Sequence, residues 1–150
     1  LVRHWLNECL DNHPECKGSS SSFQRLPTRL VDVGGLDENG QKKPLRPRIF
    51  LPNSTSQTPA TIPYLTLSHS WALTGLTTKK IEDWQKSEEG IPTDGLTQTF
   101  LDAMQITQQL GYRYIWIDSL CIMQDSPEDW NREAQTMAAV YGNSLLTIFA

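Results

Sequence analysis

The stretch Tyr112-Arg113-Tyr114-Ile115-Trp116-Ile117-Asp118-Ser119-Leu120-Cys121-Ile122-Met123-Gln124-Asp125-Ser126-Pro127-Glu128-Asp129-Trp130-Asn131-Arg132-Glu133 decides the fold. Tyr114 to Ile117 is a β-branched and aromatic run too short for a helical pattern, as a strand covered on both faces requires. The run ends in a carboxylate, Asp118. Ser126-Pro127-Glu128-Asp129 then has the form of a helix start. The Ser126 hydroxyl can accept from the Asp129 N–H, Pro127 suits the first helical position, and two acids favour the positive end of the dipole. Asp118 and that first helical turn should therefore lie near one edge of a sheet, and in open α/β folds ligands bind beyond the carboxyl ends of the strands.

Upstream, Phe100, Ala103, Met104, Thr107 and Leu110 recur at helical spacing, Thr99 and Asp102 suit the first turns, and Gly111 is the expected stop. Tyr64 to Trp71 begins as an alternating strand and turns polar, so Ser68 and His69 hold on it the place that Asp118 holds on its own strand. Thr77 to Glu89, with Ile81 and Trp84, reads as a short surface helix. Downstream, Trp130, Ala134, Met137, Ala138 and Tyr141 line one face of a helix ending at Gly142. At about 100° per residue, Glu133 falls to one side of Trp130, on the margin of that stripe. Leu145 to Ala150 closes as a strand with no turn behind it, as in a domain cut short at its C-terminus. Two βαβ crossovers follow, hence parallel strands and right-handed connections. The expectation is an α/β core over residues 64–150, with strands near 64–68, 113–118 and 145–150 and helices near 79–86, 98–110 and 127–141. Residues 1–63 form an irregular N-terminal arm.

Within that arm, Val2, Trp5, Leu6 and Cys9 would share one side of a short helix, and Gly18 to Ser22 is a flexible run. Leu26 to Val33 is strand-like and stops at Gly34-Gly35, and Ile49-Phe50-Leu51 could be a second short strand, giving an extended arm or a small hairpin. Cys9, His13 and Cys16 have part of the spacing of a zinc site but supply three ligands and no second pair, so no metal is assigned and the ordinary reading is two thiols and a surface histidine.

Composition sets the outer bounds. The 150 residues fit one domain, and 38% hydrophobic content with five Trp suffices for a core. Three cysteines are too few and too odd for a disulfide framework and point to a reducing compartment. Residues 1–60 hold eight Lys/Arg against six Asp/Glu, while residues 61–150 hold five against eleven. The chain thus offers no basic stripe for a nucleic-acid backbone. No apolar run approaches the roughly 20 residues of a membrane span, and the start lacks a secretory h-region, so a cytoplasmic protein is expected.

Ile115 to Asp125, followed by Asp129-Trp130 and Glu133-Ala134, resembles the fungal heterokaryon incompatibility (HET) domain. The other blocks agree and keep their order: Trp5-Leu6 with Cys9, His13 and Cys16; Leu26 to Val33; Tyr64 to Ser68; Thr99 to Ala103; Leu110-Gly111; Met137; Tyr141; and Leu146 to Ala150. The likeness covers nearly the whole chain. It departs at His69, where the family has an aromatic, at Trp71-Ala72 in place of Trp-Gly, and at Leu96 to Thr99, which lacks the family's proline. The resemblance implies an effector of non-self recognition whose activation leads to programmed cell death.

HET domains are also similar, distantly, to the TIR domains of innate immunity, which implies a TIR-like, flavodoxin-like parallel sheet. Some TIR domains cleave NAD, and Trp130-x-x-Glu133 resembles their Trp-x-x-Glu, which puts Glu133 in the place of the catalytic glutamate. NAD is then a substrate, with no bound cofactor, and Ser68, Asp118, Ser119 and Trp130 are the candidate ligand-binding residues. The plainer readings are a helix-flank Glu133 paired with Arg132, an Asp118 that caps the Leu120 or Cys121 N–H, and core packing for Trp116 and Trp130. A different chemistry would use Cys121 as nucleophile and His69 as base. The rival to any enzyme is a module that forms homo-oligomers when a partner sensor is triggered and then recruits a partner.

Overall fold

Five short strands share one sheet because the chain's most β-prone segments are also its most apolar. The computed structural model describes residues 1–14, 26–37, 39–41, 43–52, 62–70 and 78–150. Its elements are α1 (Val2–Asn12), β1 (Leu30–Asp32), β2 (Arg48–Phe50), β3 (Tyr64–Ser68), α2 (Thr78–Lys86), α3 (Gln98–Gln109), β4 (Tyr114–Ile117), α4 (Asp118–Cys121), α5 (Pro127–Gly142) and β5 (Leu146–Phe149). The sheet order is β2-β1-β4-β3-β5. Strands β3, β4 and β5 are parallel, with Thr66 beside Trp116 on one flank and Thr147 on the other.

The core elements fall within a residue or two of the expected positions, but the sheet is mixed where all-parallel strands were expected. Residues 26–52 supply an antiparallel pair, Leu30 to Asp32 against Arg48 to Phe50, and β1 docks antiparallel on β4. The arm is therefore no appendage. Leu30, Val31 and Val33 are fully buried, so removing this pair would leave the β4 edge and its apolar neighbours open to water.

Local chemistry sets the helix ends. Thr97 caps α3, its side chain accepting from the Phe100 N–H. At the other end Gly111, at φ +89°, takes the left-handed turn. Its N–H reaches the Gln108 carbonyl and that of Tyr112 the Thr107 carbonyl, the paired bonds that close a helix at a glycine. Ser126 caps α5 by accepting from Asp129, with Pro127 in the first turn, as expected. Gly90, at φ +81°, lies so close to the arm that an added Cβ would stand 2.4 Å from the Pro47 carbonyl oxygen. Ile91 bonds that same oxygen.

The β3–α3–β4 and β4–α5–β5 crossovers run in opposite directions along the sheet, and right-handed connections then put α3 and α5 on opposite faces. Phe100, Ala103, Met104 and Thr107 are buried on α3, as their spacing predicts. The α1 helix forms, yet buries none of its residues, and Trp5 stays 57% exposed. No helix among the described residues is long and apolar enough to cross a membrane. Gly18 to Ser22, Cys16 and Trp71-Ala72 lie outside the described residues.

Candidate functional site

At the carboxyl ends of β3 and β4 the register sets Leu67 beside Ile117, so one step further Ser68 and Asp118 reach the same level. Asp118 opens α4 instead of ending the strand, because its own side chain supplies the turn: Oδ1 accepts from the Ser119 N–H at 2.6 Å and from the Ser119 hydroxyl at 3.2 Å. The expected cap on Leu120 or Cys121 is thus made one residue earlier. Asp118 is 6% exposed and Ser119 is buried beside it.

His69 completes this cluster. Its Nε2 lies 3.2 Å from the Ser119 Oγ, and its Nδ1 lies 3.7 Å from Asp118 Oδ1, beyond hydrogen-bond reach. Phe100 meets the ring edge-on at 4.9 Å between centroids. The Nδ1 atom is buried and has no hydrogen-bond partner among the described residues, a state it shares with Trp116 Nε1.

From the opposite side α5 closes over the sheet. Tyr64 donates to the Val140 carbonyl at 2.6 Å, which anchors the helix at the start of β3. Glu133 lies seven residues nearer the helix start, about 10 Å along the axis. The rise of β3 from Tyr64 to Ser68 is about 13 Å. Glu133 therefore stands near the level of Ser68 and Asp118. It is 2% exposed, and its Oε1 accepts from Arg132 Nε at 3.2 Å. Trp130 is 45% exposed, which corrects its expected packing in the core. The inward face of α5 is centred on Asp129, Glu133 and Val140, a rotation away from the apolar stripe.

The cause of that rotation is Arg29, just before β1. It grips Asp129 with both terminal nitrogens, at 2.8 and 3.0 Å, and donates to the Cys121 carbonyl at 3.0 Å. Asp129 also accepts from the Met123 N–H at 2.9 Å and from Arg132. Burial alone would raise its carboxyl. The Arg29 and Met123 hydrogen bonds and the charges of Arg29 and Arg132 outweigh that and hold it below the usual carboxylate range. With its charge answered across 100 residues of chain, Asp129 goes inside and Trp130 goes out.

Cys121 is the common neighbour of both carboxylates. Burial pushes its thiol up to about 12, a backbone hydrogen bond at Ile117 and the Arg29 charge pull it down, and Asp118 and Glu133 push it up again. A fully buried thiol in that state is no nucleophile, and His69 turns to Ser119 instead, which removes the Cys121–His69 pair as a reactive couple. Tyr141 bridges the same region: its hydroxyl donates to the Leu67 carbonyl at 3.3 Å and its ring meets Trp116 edge-on. Burial and the Asp118 charge both raise its hydroxyl above the ordinary value.

The structure thus brings Ser68, Asp118, Ser119 and Glu133 to one end of the parallel strands and leaves Trp130 outside. Sequence reasoning missed Arg29 and Tyr141. Arg29 sits in a strand-like run, where an arginine beside Leu30 was the only hint, and Tyr141 looked like one more apolar position. A shallow groove between the arm and α5, lined by Pro27, Thr28, Arg132, Thr136 and Val140, opens beside Arg132. No group of three metal-ligating side chains occurs among the described residues. His13 Nδ1 lies 3.5 Å from Cys9 Sγ, while Cys16, the third member of that spacing, is outside them.

Comparison with known proteins matches residues 64–150, more than half of the chain, to the family model described as heterokaryon incompatibility protein (HET). No curated protein and no solved structure matches the chain.

Proposed function

The chain belongs to the heterokaryon incompatibility (HET) family, and from that premise we propose that it is an effector of fungal non-self recognition whose activation ends in cell death. Its chemistry is hydrolysis of the nicotinamide–ribose bond of NAD. The observation that carries this reading is two buried carboxylates, Asp118 and Glu133, brought from separate elements to the strand ends, both near enough to the buried Cys121 to act on its thiol.

Glycosidic cleavage passes through an oxocarbenium-like state, and a carboxylate fixed beside the ribose stabilises the growing positive charge. Glu133 takes that role once the half-exposed Arg132 side chain swings off it. Asp118, Ser68 and Ser119 hold the sugar. Nicotinamide leaves as a neutral molecule, so the site needs no strong acid. Expression of the chain lowers cellular NAD, and Glu133→Gln, with unchanged thermal unfolding, abolishes the loss. Cell death with NAD intact would refute the reading.

One feature favours a second reading, a self-associating module that recruits a partner. Leu1, Val2 and Trp5 of the α1 region and Trp130 are exposed, more large apolar surface than a lone domain needs. Toxicity that follows oligomer size and ignores Glu133 would select it over the enzyme.

A further inference from the structure

Of the two buried side-chain atoms without a hydrogen-bond partner among the described residues, His69 Nδ1 and Trp116 Nε1, the first lies against the carboxylate cluster, and the functional reading above leaves it unused. Its ring is held by a directional chain. The Ser119 hydroxyl has one proton, and Asp118 Oδ1, 3.2 Å away and already receiving the Ser119 N–H, is its natural acceptor. The Ser119 oxygen then accepts from His69, so the imidazole proton sits on Nε2, 3.2 Å away. That leaves Nδ1 as a bare lone pair with a side chain only 7% exposed, 3.7 Å from a carboxylate oxygen. Two acceptors only 3.7 Å apart with no donor of their own call for a donor that reaches both from one side.

We infer that His69 is the proton acceptor of this site, its Nδ1 kept free by the positioning residues Ser119 and Asp118. The inference rests on the NAD-cleavage reading for the identity of the donor, a water molecule. That water attacks the ribose C1′ as the C1′–N bond breaks, and the bonding pair leaves with neutral nicotinamide. The water's proton passes to Nδ1, where Asp118 stabilises the imidazolium, and then to solvent. The groups that face the ring are Asp118 and Ser119 from α4 and the uncharged Phe100 ring from α3. Asp118 is thus the charged group within 4.0 Å of it among the described residues.

The test begins with long-range 1H–15N NMR of the purified, histidine-labelled chain. The neutral His69 ring is expected to carry its proton on Nε2, and Ser119→Ala is expected to mix the tautomers. A neutral ring protonated on Nδ1, or an unchanged tautomer in Ser119→Ala, overturns the inference whether or not NAD turns over. In turnover, His69→Gln and His69→Phe, the latter keeping a ring against Phe100, are each expected to lower kcat about a hundredfold. KM should hold, and the acid limb of the pH–rate profile should vanish. Unchanged kcat in both overturns the inference and leaves the NAD reading standing. A wild-type chain with the expected tautomer but no NAD cleavage sinks that reading alone.

Discussion

The two faces of the sheet are covered by helices of similar length built on opposite principles. On one, α3 lays Phe100, Ala103 and Met104 over Leu65, Leu67, Ile115 and Ile117, an apolar contact that needs no particular partner. On the other, α5 turns Asp129 and Glu133 inward and depends on Arg29 from the arm to make that tolerable. The first face draws its stability from area. The second gains little net stability from its ion pair but ties the arm, the α4–α5 turn and the carboxyl ends of the strands into one arrangement. The acidic groups of the proposed site lie on the second face, where the geometry is fixed by directed bonds and not by packing alone.

That contrast can be broken most sharply at Arg29. Arg29→Ala leaves Asp129 buried without its counter-charge and is expected to cost about 3–5 kcal/mol in urea unfolding. A loss below about 1 kcal/mol would mean the ion pair organises nothing. On the apolar face, Met104→Ala opens a cavity at a fully buried position and is expected to cost about 3 kcal/mol, with full recovery in Met104→Leu. Failure of the leucine to restore the midpoint would show that shape, not apolar volume, matters there.

Acid separates the faces without a mutation. Because Asp129 is held below its usual value when folded, the unfolded chain takes up the proton first. The contribution of the clasp is whole above about pH 4 and fades as pH falls through the lowered folded value. Unfolding midpoints followed from pH 6 down to 2 should show this slope in wild type and in Met104→Ala, and a flatter one in Arg29→Ala. Equal slopes in all three would assign the acid sensitivity elsewhere.

Smaller effects sharpen the picture. Ser126→Ala removes the hydroxyl that receives the Asp129 N–H and is expected to cost about 1 kcal/mol. Trp130→Ala, at a position that points outward, is expected to change stability by no more than about 0.5 kcal/mol. A loss of several kcal/mol there would restore the apolar stripe as the true inner face of α5.

How far the sequence reached is clearest when the two helices are set side by side. On α3, periodicity located the buried residues because apolar area is a property each residue carries alone. On α5 the same rule pointed to Trp130 and away from Asp129, since nothing local announces an arginine 100 residues upstream. The cap at Ser126, the stop at Gly111 and the strand runs at 64–68 and 114–117 were also legible, each being set by backbone chemistry within a few residues. Ser68 and Asp118 could be named from their places at strand ends, and Glu133 from its resemblance to a Trp-x-x-Glu, although periodicity set it half covered on the helix margin and the structure buries it.

The sequence by itself determined the parallel core, its crossovers and its helix ends, because these follow from local propensity and short-range pattern, and the resemblance of its ordered blocks pointed to the family. Only the tertiary structure decided that β1 and β2 join the sheet, that Asp129 goes inside while Trp130 goes out, and that His69 meets Ser119 and Asp118. Antiparallel docking, answered charges and the contacts of a buried imidazole each need a partner from far along the chain, and no local pattern records which partner will arrive.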